Sequence, residues 1–228
     1  MADAIVLLSG GLDSSTSMAI ARERGFDVIA LTFDYGQRHR KELESAARIA
    51  RELGAKDHIV IQLPIGRHLS SSLTWGGPAV PEGRSKEEIS AGIPNTYVPS
   101  RNIIFLSIAA SLAESRGAEA VFIAANSVDF SGYPDCTPAF MEAFQKVLDV
   151  GTKVGVEGKG VRIEAPLLRM SKADIVREAV RLNVPIALTW SCYKGGEKAC
   201  GRCDSCQLRL EGFRKAGLVD PIDYEVML

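Results

Sequence analysis

Residues 4–18 read AIVLLSGGLDSSTSM, and this stretch decides the fold of the chain. The apolar run at its start is typical of a buried β-strand, and it ends abruptly at two glycines. Helix-forming residues follow at once, with Asp13 or Ser14 placed to cap the first turn. A strand, a glycine turn and a helix in this order present backbone N–H groups and the positive end of a helix dipole to an anion. We therefore predict an anion-binding loop here.

The details of this loop indicate which anion it binds. A Cβ at Gly10 or Gly11 would hold a phosphate away from the backbone. No Gly-Lys-Ser/Thr sequence closes the loop, so it is not a Walker loop. The Ser-Gly-Gly-x-Asp-Ser pattern instead resembles the pyrophosphate-binding loop (PP-loop) of ATP pyrophosphatases, which cut ATP between its α and β phosphates. An ordinary strand-to-helix turn is the alternative. The resemblance implies nucleotide contacts along the whole loop: Leu8, Ser9, Gly10, Gly11, Leu12, Asp13, Ser14, Ser15, Thr16, Ser17 and Met18.

Composition excludes some classes of protein. A formal net charge of −1 over 228 residues gives no electrostatic argument for binding nucleic acid or an anionic membrane. No apolar run approaches the roughly 18 residues that a membrane span needs. Asp3 precedes a strand too short for the apolar region of a signal peptide. We expect a cytoplasmic protein with no nucleic-acid or membrane partner.

Strands alternate with helical segments along the chain, which predicts an α/β fold: a parallel five-stranded sheet with helices on both faces. After the first strand, the predicted strands are residues 27–33, 57–62, 120–124 and 161–165. The resemblance of the loop implies a Rossmann-like sheet of the adenine nucleotide alpha hydrolase type. We predict that residues 1–185 form the PP-loop domain and residues 186–228 a small C-terminal zinc-binding segment.

Residues 64–99 interrupt this pattern with a long irregular stretch rich in proline and glycine. Loops of this length in a compact domain are usually lids or partner-binding arms. A partly disordered insertion is the alternative.

Polar residues are concentrated where the predicted strands end. In an open parallel sheet, ligands bind beyond the carboxyl ends of the strands. The loops at those ends hold most of the unusual polar side chains, which predicts one active site there; they are residues 9–15, 32–40, 126–136 and 169–172.

Four cysteines lie close together near the end of the chain: Cys192, Cys200, Cys203 and Cys206. A Cys-x-x-Cys step directs both sulfurs towards one tetrahedral ion, and four thiolates leave no open coordination position. We predict a structural Zn²⁺ site, with a redox pair or an iron–sulfur cluster as alternatives. The fifth cysteine, Cys136, is predicted to be a buried or pocket-lining thiol rather than a nucleophile.

Five motifs together resemble the 7-cyano-7-deazaguanine synthase family over nearly the whole chain: SGGLDSS, FDYGQRHR, TYVPSRN, DFSGYPDC and TWSCYKGGEKACGRCDSC. The resemblance implies that the enzyme, a ligase of queuosine biosynthesis, converts 7-carboxy-7-deazaguanine and ammonia to the nitrile. It implies adenylated acid and amide intermediates, the use of ATP with Mg²⁺, and the release of AMP and pyrophosphate. Ser100 and Thr137 depart from the family pattern, which usually has alanine or glycine and arginine at these positions.

Several side chains are candidates for catalysis or substrate binding. Arg101 is placed to bind the substrate carboxylate or a phosphate, and Lys172, at a capped helix start, to reach a phosphate. The alternatives are a surface ion pair and an exposed helix residue. Asp129 or Asp135 could accept hydrogen bonds from the base, and Tyr133 or Phe130 could stack on it; turn chemistry and core packing are the alternatives. The catalytic set is thus Asp13, Ser14, Arg101 and Lys172.

Other functions remain open at this stage. One is a different PP-loop enzyme, such as a tRNA-thiolating enzyme or an amide-forming synthetase; the near-neutral charge does not suggest an RNA-binding face. Another is a non-enzymatic nucleotide sensor or zinc-knuckle module. Exposed helices remote from the site could form a homodimer.

Overall fold

The computed structural model describes residues 1–38, 40–90, 92–128 and 132–226, with the side chains of residues 86 and 90 left aside. Five strands form one parallel sheet, as predicted, in the order β3-β2-β1-β4-β5. They are β1 (Asp3–Leu7), β2 (Asp27–Asp34), β3 (Asp57–Gln62), β4 (Ala120–Phe122) and β5 (Arg162–Glu164). Because the chain winds one way from β1 to β3 and the other way from β4 to β5, a crevice opens beyond β1 and β4.

Eight helices occur in the described part of the chain. They are α1 (Leu12–Glu23), α2 (Lys41–Glu52), α3 (Lys86–Ser90), α4 (Arg101–Arg116), α5 (Pro138–Gly151), α6 (Lys153–Val156), α7 (Lys172–Arg181) and α8 (Asp204–Ala216). None of them is long and apolar enough to cross a membrane.

Apolar side chains cover both faces of the sheet, which explains why the strands read as continuous apolar runs. Successive residues of a strand point to opposite faces. Ile5 and Leu7 of β1 accordingly pack with residues of α4 and α5, whereas Ala4 and Val6 pack with residues of α1 and α2. The prediction of helices on both faces is confirmed.

β4 ends two residues before its predicted boundary. The N–H of Ile123 still donates to the Glu164 carbonyl (2.9 Å), but the chain then leaves the sheet. Ala124, predicted as strand, lines a cavity beyond the sheet edge instead, together with Ala125.

Residues 64–99, here called the arm, have little regular structure but many contacts with the body. The Arg38 guanidinium donates to the carbonyls of Thr74 (3.4 Å) and Pro78 (3.0 Å). Further along, Arg84 forms an ion pair with the buried Asp204 at the start of α8. The described part of the arm is therefore held against the protein at both the sheet edge and the cysteine segment.

Candidate active site

The predicted PP-loop connects β1 to α1, and Gly10 is its most constrained residue. Gly10 has a φ of +79°, and a Cβ there would lie 2.5 Å from the Ala46 nitrogen and 2.6 Å from the Glu42 carbonyl oxygen. The structure thus requires glycine here partly because α2 packs against the loop, a tertiary reason that the sequence does not show. Gly11, with less crowding, precedes the first turn of α1.

The prediction that Asp13 or Ser14 caps α1 is wrong. Gly11 is the N-cap residue, and no side chain caps the helix. The Ser14 and Ser15 hydroxyls instead donate to the Gly11 carbonyl (3.1 and 2.8 Å), and the Ser9 and Ser14 hydroxyls lie 3.0 Å apart. Since a helix start without a side-chain cap leaves its first N–H groups for another partner, this one suits an anion.

A cavity of about 320 Å³ lies against this loop. Nine of the predicted site residues line it: Leu8, Ser9, Gly11, Leu12, Asp13, Ser14, Arg101, Tyr133 and Lys172. Six predicted residues are described but are not among its lining residues: Gly10, Ser15, Thr16, Ser17, Met18 and Asp135. Asp129 and Phe130 lie outside the described residues. The carboxyl edge of the sheet thus brings together both predicted cations and the centre of the loop.

Lys172 reaches the loop from α7. The predicted capping box is present: the Ser171 hydroxyl accepts from the Asp174 N–H, and the Asp174 carboxylate accepts from the Ser171 N–H. The Lys172 ammonium lies 2.8 and 2.6 Å from the two Asp13 carboxylate oxygens. Its stem packs against Gly212 of α8, where a Cβ would lie 2.4 Å from the Lys172 Cγ. Lysine and aspartate therefore form an oriented pair at the cavity wall.

Arg101 is the first residue of α4 and lies on the other side of the cavity. Tyr35, Tyr133 and Cys136 surround it. Burial alone would lower the pKa of Arg101, but these neighbours raise it above its usual value, so the guanidinium stays charged. The Tyr133 hydroxyl lies 2.7 Å from the Thr96 hydroxyl of the arm. This side combines one fixed positive charge with aromatic rings.

Two aromatic rings extend this wall. Phe33 and Phe105 stack with their centroids 4.0 Å apart and 9° between their planes. Cys136 is buried here as predicted; burial, with the nearby Asp135, raises the pKa of its thiol to about 11. The thiol is therefore neutral at pH 7, which argues against a thiolate nucleophile.

Other predicted polar residues have structural contacts. The Asp135 carboxylate accepts from the Asn102 N–H (3.1 Å) at the start of α4. Arg40 pairs with Asp34 (2.7 Å) near the surface, and Arg38 holds the arm. His39, which stands between these two arginines in the sequence, lies outside the described residues.

The four clustered cysteines are all buried, and their Sγ atoms lie within 4.8 Å of one another. The Cys200 and Cys206 sulfurs are 3.9 Å apart, close to the separation of about 3.8 Å expected for thiolates around a tetrahedral zinc. Backbone N–H groups point at the sulfurs, including Lys194 to Cys192 (3.4 Å) and Cys203 to Cys200 (3.3 Å). The donor set and its geometry fit a four-thiolate metal site.

The structure adds lining residues that the sequence did not single out: Tyr35, Glu42, Trp190, Tyr193 and Arg209. Glu42 stands out because burial raises the pKa of its carboxyl to about 7, despite the nearby Arg101, which lowers it. The sequence offers one signal that Glu42 belongs to the site: it follows the polar loop after β2, at the carboxyl edge of the sheet.

The comparisons with known proteins agree with this arrangement. The family described as "Queuosine biosynthesis protein QueC" matches residues 3–217. The chain belongs to this family. The QueC relatives include 7-cyano-7-deazaguanine synthase of Acetivibrio thermocellus, 53% identical over 98% of each chain. 7-cyano-7-deazaguanine synthase 2 of Desulfitobacterium hafniense is 52% identical over 98% of this chain and 94% of its own.

A solved structure supports the fold of this QueC chain. NMN synthetase from Francisella tularensis is similar with a TM-score of 0.50, at 13% identity over 95% of this chain and 78% of that one. At this identity the likeness concerns the fold alone.

The structure shows what Thr137 and Ser100, the two positions noted in the sequence, do locally. Thr137 is the N-cap of α5, and its hydroxyl accepts from the Phe140 N–H (3.2 Å). Ser100 precedes α4 with a φ of +55°, a conformation that glycine adopts without strain. Thr137 thus caps α5, whereas the left-handed backbone conformation of Ser100 costs free energy relative to glycine at the same position.

Proposed function

We propose that this QueC protein converts 7-carboxy-7-deazaguanine, ATP and ammonia to 7-cyano-7-deazaguanine, AMP and pyrophosphate, as the names of its relatives suggest. The observation that carries the proposal is the cavity itself. It joins a helix start without a side-chain cap and the Lys172–Asp13 pair on one side to Arg101 and aromatic rings on the other. One side suits a triphosphate and the other a flat acidic heterocycle.

The first side would bind ATP. The N–H groups at the start of α1, the Ser9 and Ser14 hydroxyls and Lys172 would hold the β and γ phosphates, which leave together as pyrophosphate. The Asp13 carboxylate would hold Mg²⁺, because that ion is commonly bound through one or two carboxylates and the substrate phosphates. Magnesium bound there would neutralise the charge that develops on the leaving pyrophosphate.

The second side would bind the deazaguanine. Arg101 would pair with its carboxylate and aim one oxygen at the α phosphorus, and Tyr133 would pack against the ring. The bond from that oxygen to phosphorus forms as the bond to pyrophosphate breaks. Assignment of the base-reading role to Asp129 or Asp135 stays a prediction.

Ammonia then displaces AMP to give the amide. A second ATP adenylates the amide oxygen, which releases pyrophosphate and one N–H proton, and loss of AMP with the other N–H proton leaves the nitrile. In both halves the protein contributes placement and electrostatic stabilisation rather than a covalent intermediate.

We propose Zn²⁺ as the ion of the four-cysteine cluster, with a purely structural role, since four thiolates leave no position for substrate. Cys203→Ser should lower the zinc-to-protein ratio and the thermal midpoint together. Metal analysis by plasma mass spectrometry checks this, and an unchanged ratio would refute the assignment.

Other expectations remain proposals. They are the division at residue 185, a homodimer, free ammonia as nitrogen donor and the absence of a nucleic-acid partner. The net charge of −1 supports the last of these.

Mass spectrometry of a reaction with ATP, Mg²⁺, ammonium and 7-carboxy-7-deazaguanine tests the function. A nitrile with AMP and pyrophosphate is expected. ADP and phosphate would contradict the chemistry assigned to the loop, and AMP without the amide or nitrile would contradict the substrate.

A further inference from the structure

Residues 190–209, which hold the four clustered cysteines, also form one wall of the cavity. Six of them are among its lining residues: Trp190, Ser191, Tyr193, Ser205, Leu208 and Arg209. Tyr193 directly follows Cys192, the first of the four cysteines. The cysteine segment therefore contributes side chains to the candidate active site itself.

Tyr193 joins two apolar clusters of the protein. Its half-buried side chain packs against the core on the α4 side of the sheet and also against the cluster formed by the cysteines and Trp190. Its hydroxyl interacts with that of Tyr133, and Arg101 is close enough to act on it electrostatically. Tyr193 therefore lies beside the two residues to which we assign the deazaguanine.

The backbone on both sides of Tyr193 is held in place. Cys192, before it, is fully buried, and its carbonyl accepts from the Trp190 indole N–H (3.0 Å). Lys194, after it, donates its backbone N–H to the Cys192 sulfur (3.4 Å), and its ammonium pairs with Glu82 of the arm. A ring whose backbone is fixed in this way loses little conformational freedom when a flat ligand packs on it.

Trp190, the other aromatic residue of this segment at the cavity, has a different environment. The Lys41 ammonium lies 3.8 Å from the centroid of its ring and also donates to the Gly196 carbonyl (2.8 Å). Trp190 is 7% exposed. Its ring thus serves to bind a cation of α2, whereas Tyr193 contacts the aromatic side of the cavity.

We propose that Tyr193 is a further substrate-binding residue, whose ring packs on the deazaguanine together with Tyr133. This inference rests on the proposed function. Aromatic rings bind flat heterocycles by stacking, which fixes the plane of the ligand as well as holding it. With the plane fixed by the tyrosines and the carboxylate paired with Arg101, the reacting oxygen is directed at the α phosphorus.

The test separates binding of the acid from binding of ATP. ATP–pyrophosphate exchange dependent on 7-carboxy-7-deazaguanine gives a KM for each substrate. Tyr193→Leu removes the ring but keeps an apolar side chain. We expect the KM for the acid to rise about 10-fold, in the range for one lost aromatic contact with a base, and the KM for ATP to change by less than about twofold. Tyr193→Phe keeps the ring and should hold the KM for the acid within about threefold of the wild type.

Tyr224→Leu is the matched control. Tyr224 also packs against the cysteine cluster but is not among the lining residues of the cavity, so its loss should leave the KM for the acid unchanged. The zinc-to-protein ratio and the thermal midpoint of each variant report separately on the cluster and on the fold.

Four results would overturn this inference alone, given exchange in the wild type. They are an unchanged KM for the acid in Tyr193→Leu, an equal rise in both KM values, an equal rise in Tyr224→Leu, and a rise that Tyr193→Phe shares in full. A rise found only with a loss of zinc would also overturn it. A wild type without exchange would overturn the proposed function and the inference with it.

Discussion

Two ion pairs, each between a basic side chain and an aspartate, lie near the cavity, and they differ in how much of their side chains solvent can reach. Arg209 of α8 pairs with Asp220 through two bonds of 2.6 and 2.9 Å, with side chains only 2% and 1% exposed. Lys172 and Asp13 pair at similar distances but are 18% and 26% exposed. We call the almost fully buried Arg209–Asp220 pair the sealed pair. The partly exposed Lys172–Asp13 pair, which lines the cavity, is the open pair.

Their hydrogen bonds show the same difference. Arg209 also donates to the Thr189 hydroxyl (2.8 Å) and the Ser191 hydroxyl (3.1 Å), and Tyr224 donates to Asp220 (2.7 Å). A buried ion pair needs such additional partners to offset its desolvation. The sealed network ties α8 to the chain before and after it, whereas the open pair presents charge to a ligand. Similar chemistry thus serves stability in one place and, by our proposal, catalysis in the other.

The largest expected effect comes from breaking the sealed pair. Asp220→Asn leaves Arg209 buried without its counter-ion, which should lower the free energy of unfolding by about 3–5 kcal/mol. Urea denaturation measures this. The control is Glu119→Gln, which breaks an exposed pair with Arg162 (3.5 Å) and should change stability by less than about 1 kcal/mol. Equal effects in the two variants would contradict the comparison.

An intermediate case is the pair that anchors the arm. Arg84 is 23% exposed and its partner Asp204 is 1% exposed, and the Asp204 hydrogen bond raises the pKa of Arg84. Arg84→Ala leaves the buried Asp204 carboxylate without this partner, so we expect the free energy of unfolding to fall by about 2 kcal/mol. Limited proteolysis should then cut the arm faster than in the wild type, because one of its attachments to the start of α8 is gone. An arm that is cut no faster would show that the Arg84–Asp204 pair is not what holds it against the protein.

The sheet and the metal cluster could be predicted from the sequence because local patterns determine them. β1 and β2 are buried on both faces and so read as continuous apolar runs, and the Cys-x-x-Cys spacing brings the four sulfurs together with little help from the rest of the fold. The carboxyl-edge rule likewise predicted that Lys172 and the PP-loop share one site, whereas Arg101, which lies in none of the loops named by that rule, was a candidate only through its motif.

The rest depended on contacts between distant segments. Glu42 reads as one more polar residue after β2, and its raised pKa comes from burial that only the assembled cavity provides. Asp135 follows a proline and reads equally as a turn or a ligand, until its bond to the Asn102 N–H shows a structural contact. The capping of α1 was mispredicted because Ser14 and Ser15 turn their hydroxyls back to the Gly11 carbonyl.

The most direct test of the account concerns the open pair. Lys172→Met keeps the stem that packs on Gly212 but removes the charge, and Arg177→Met, on an exposed part of α7, is its control. ATP–pyrophosphate exchange with 7-carboxy-7-deazaguanine should fall about 100-fold or more in Lys172→Met, while the free energy of unfolding changes by less than about 1 kcal/mol. Exchange at the wild-type rate in Lys172→Met, or loss of exchange only in step with unfolding, would contradict the account.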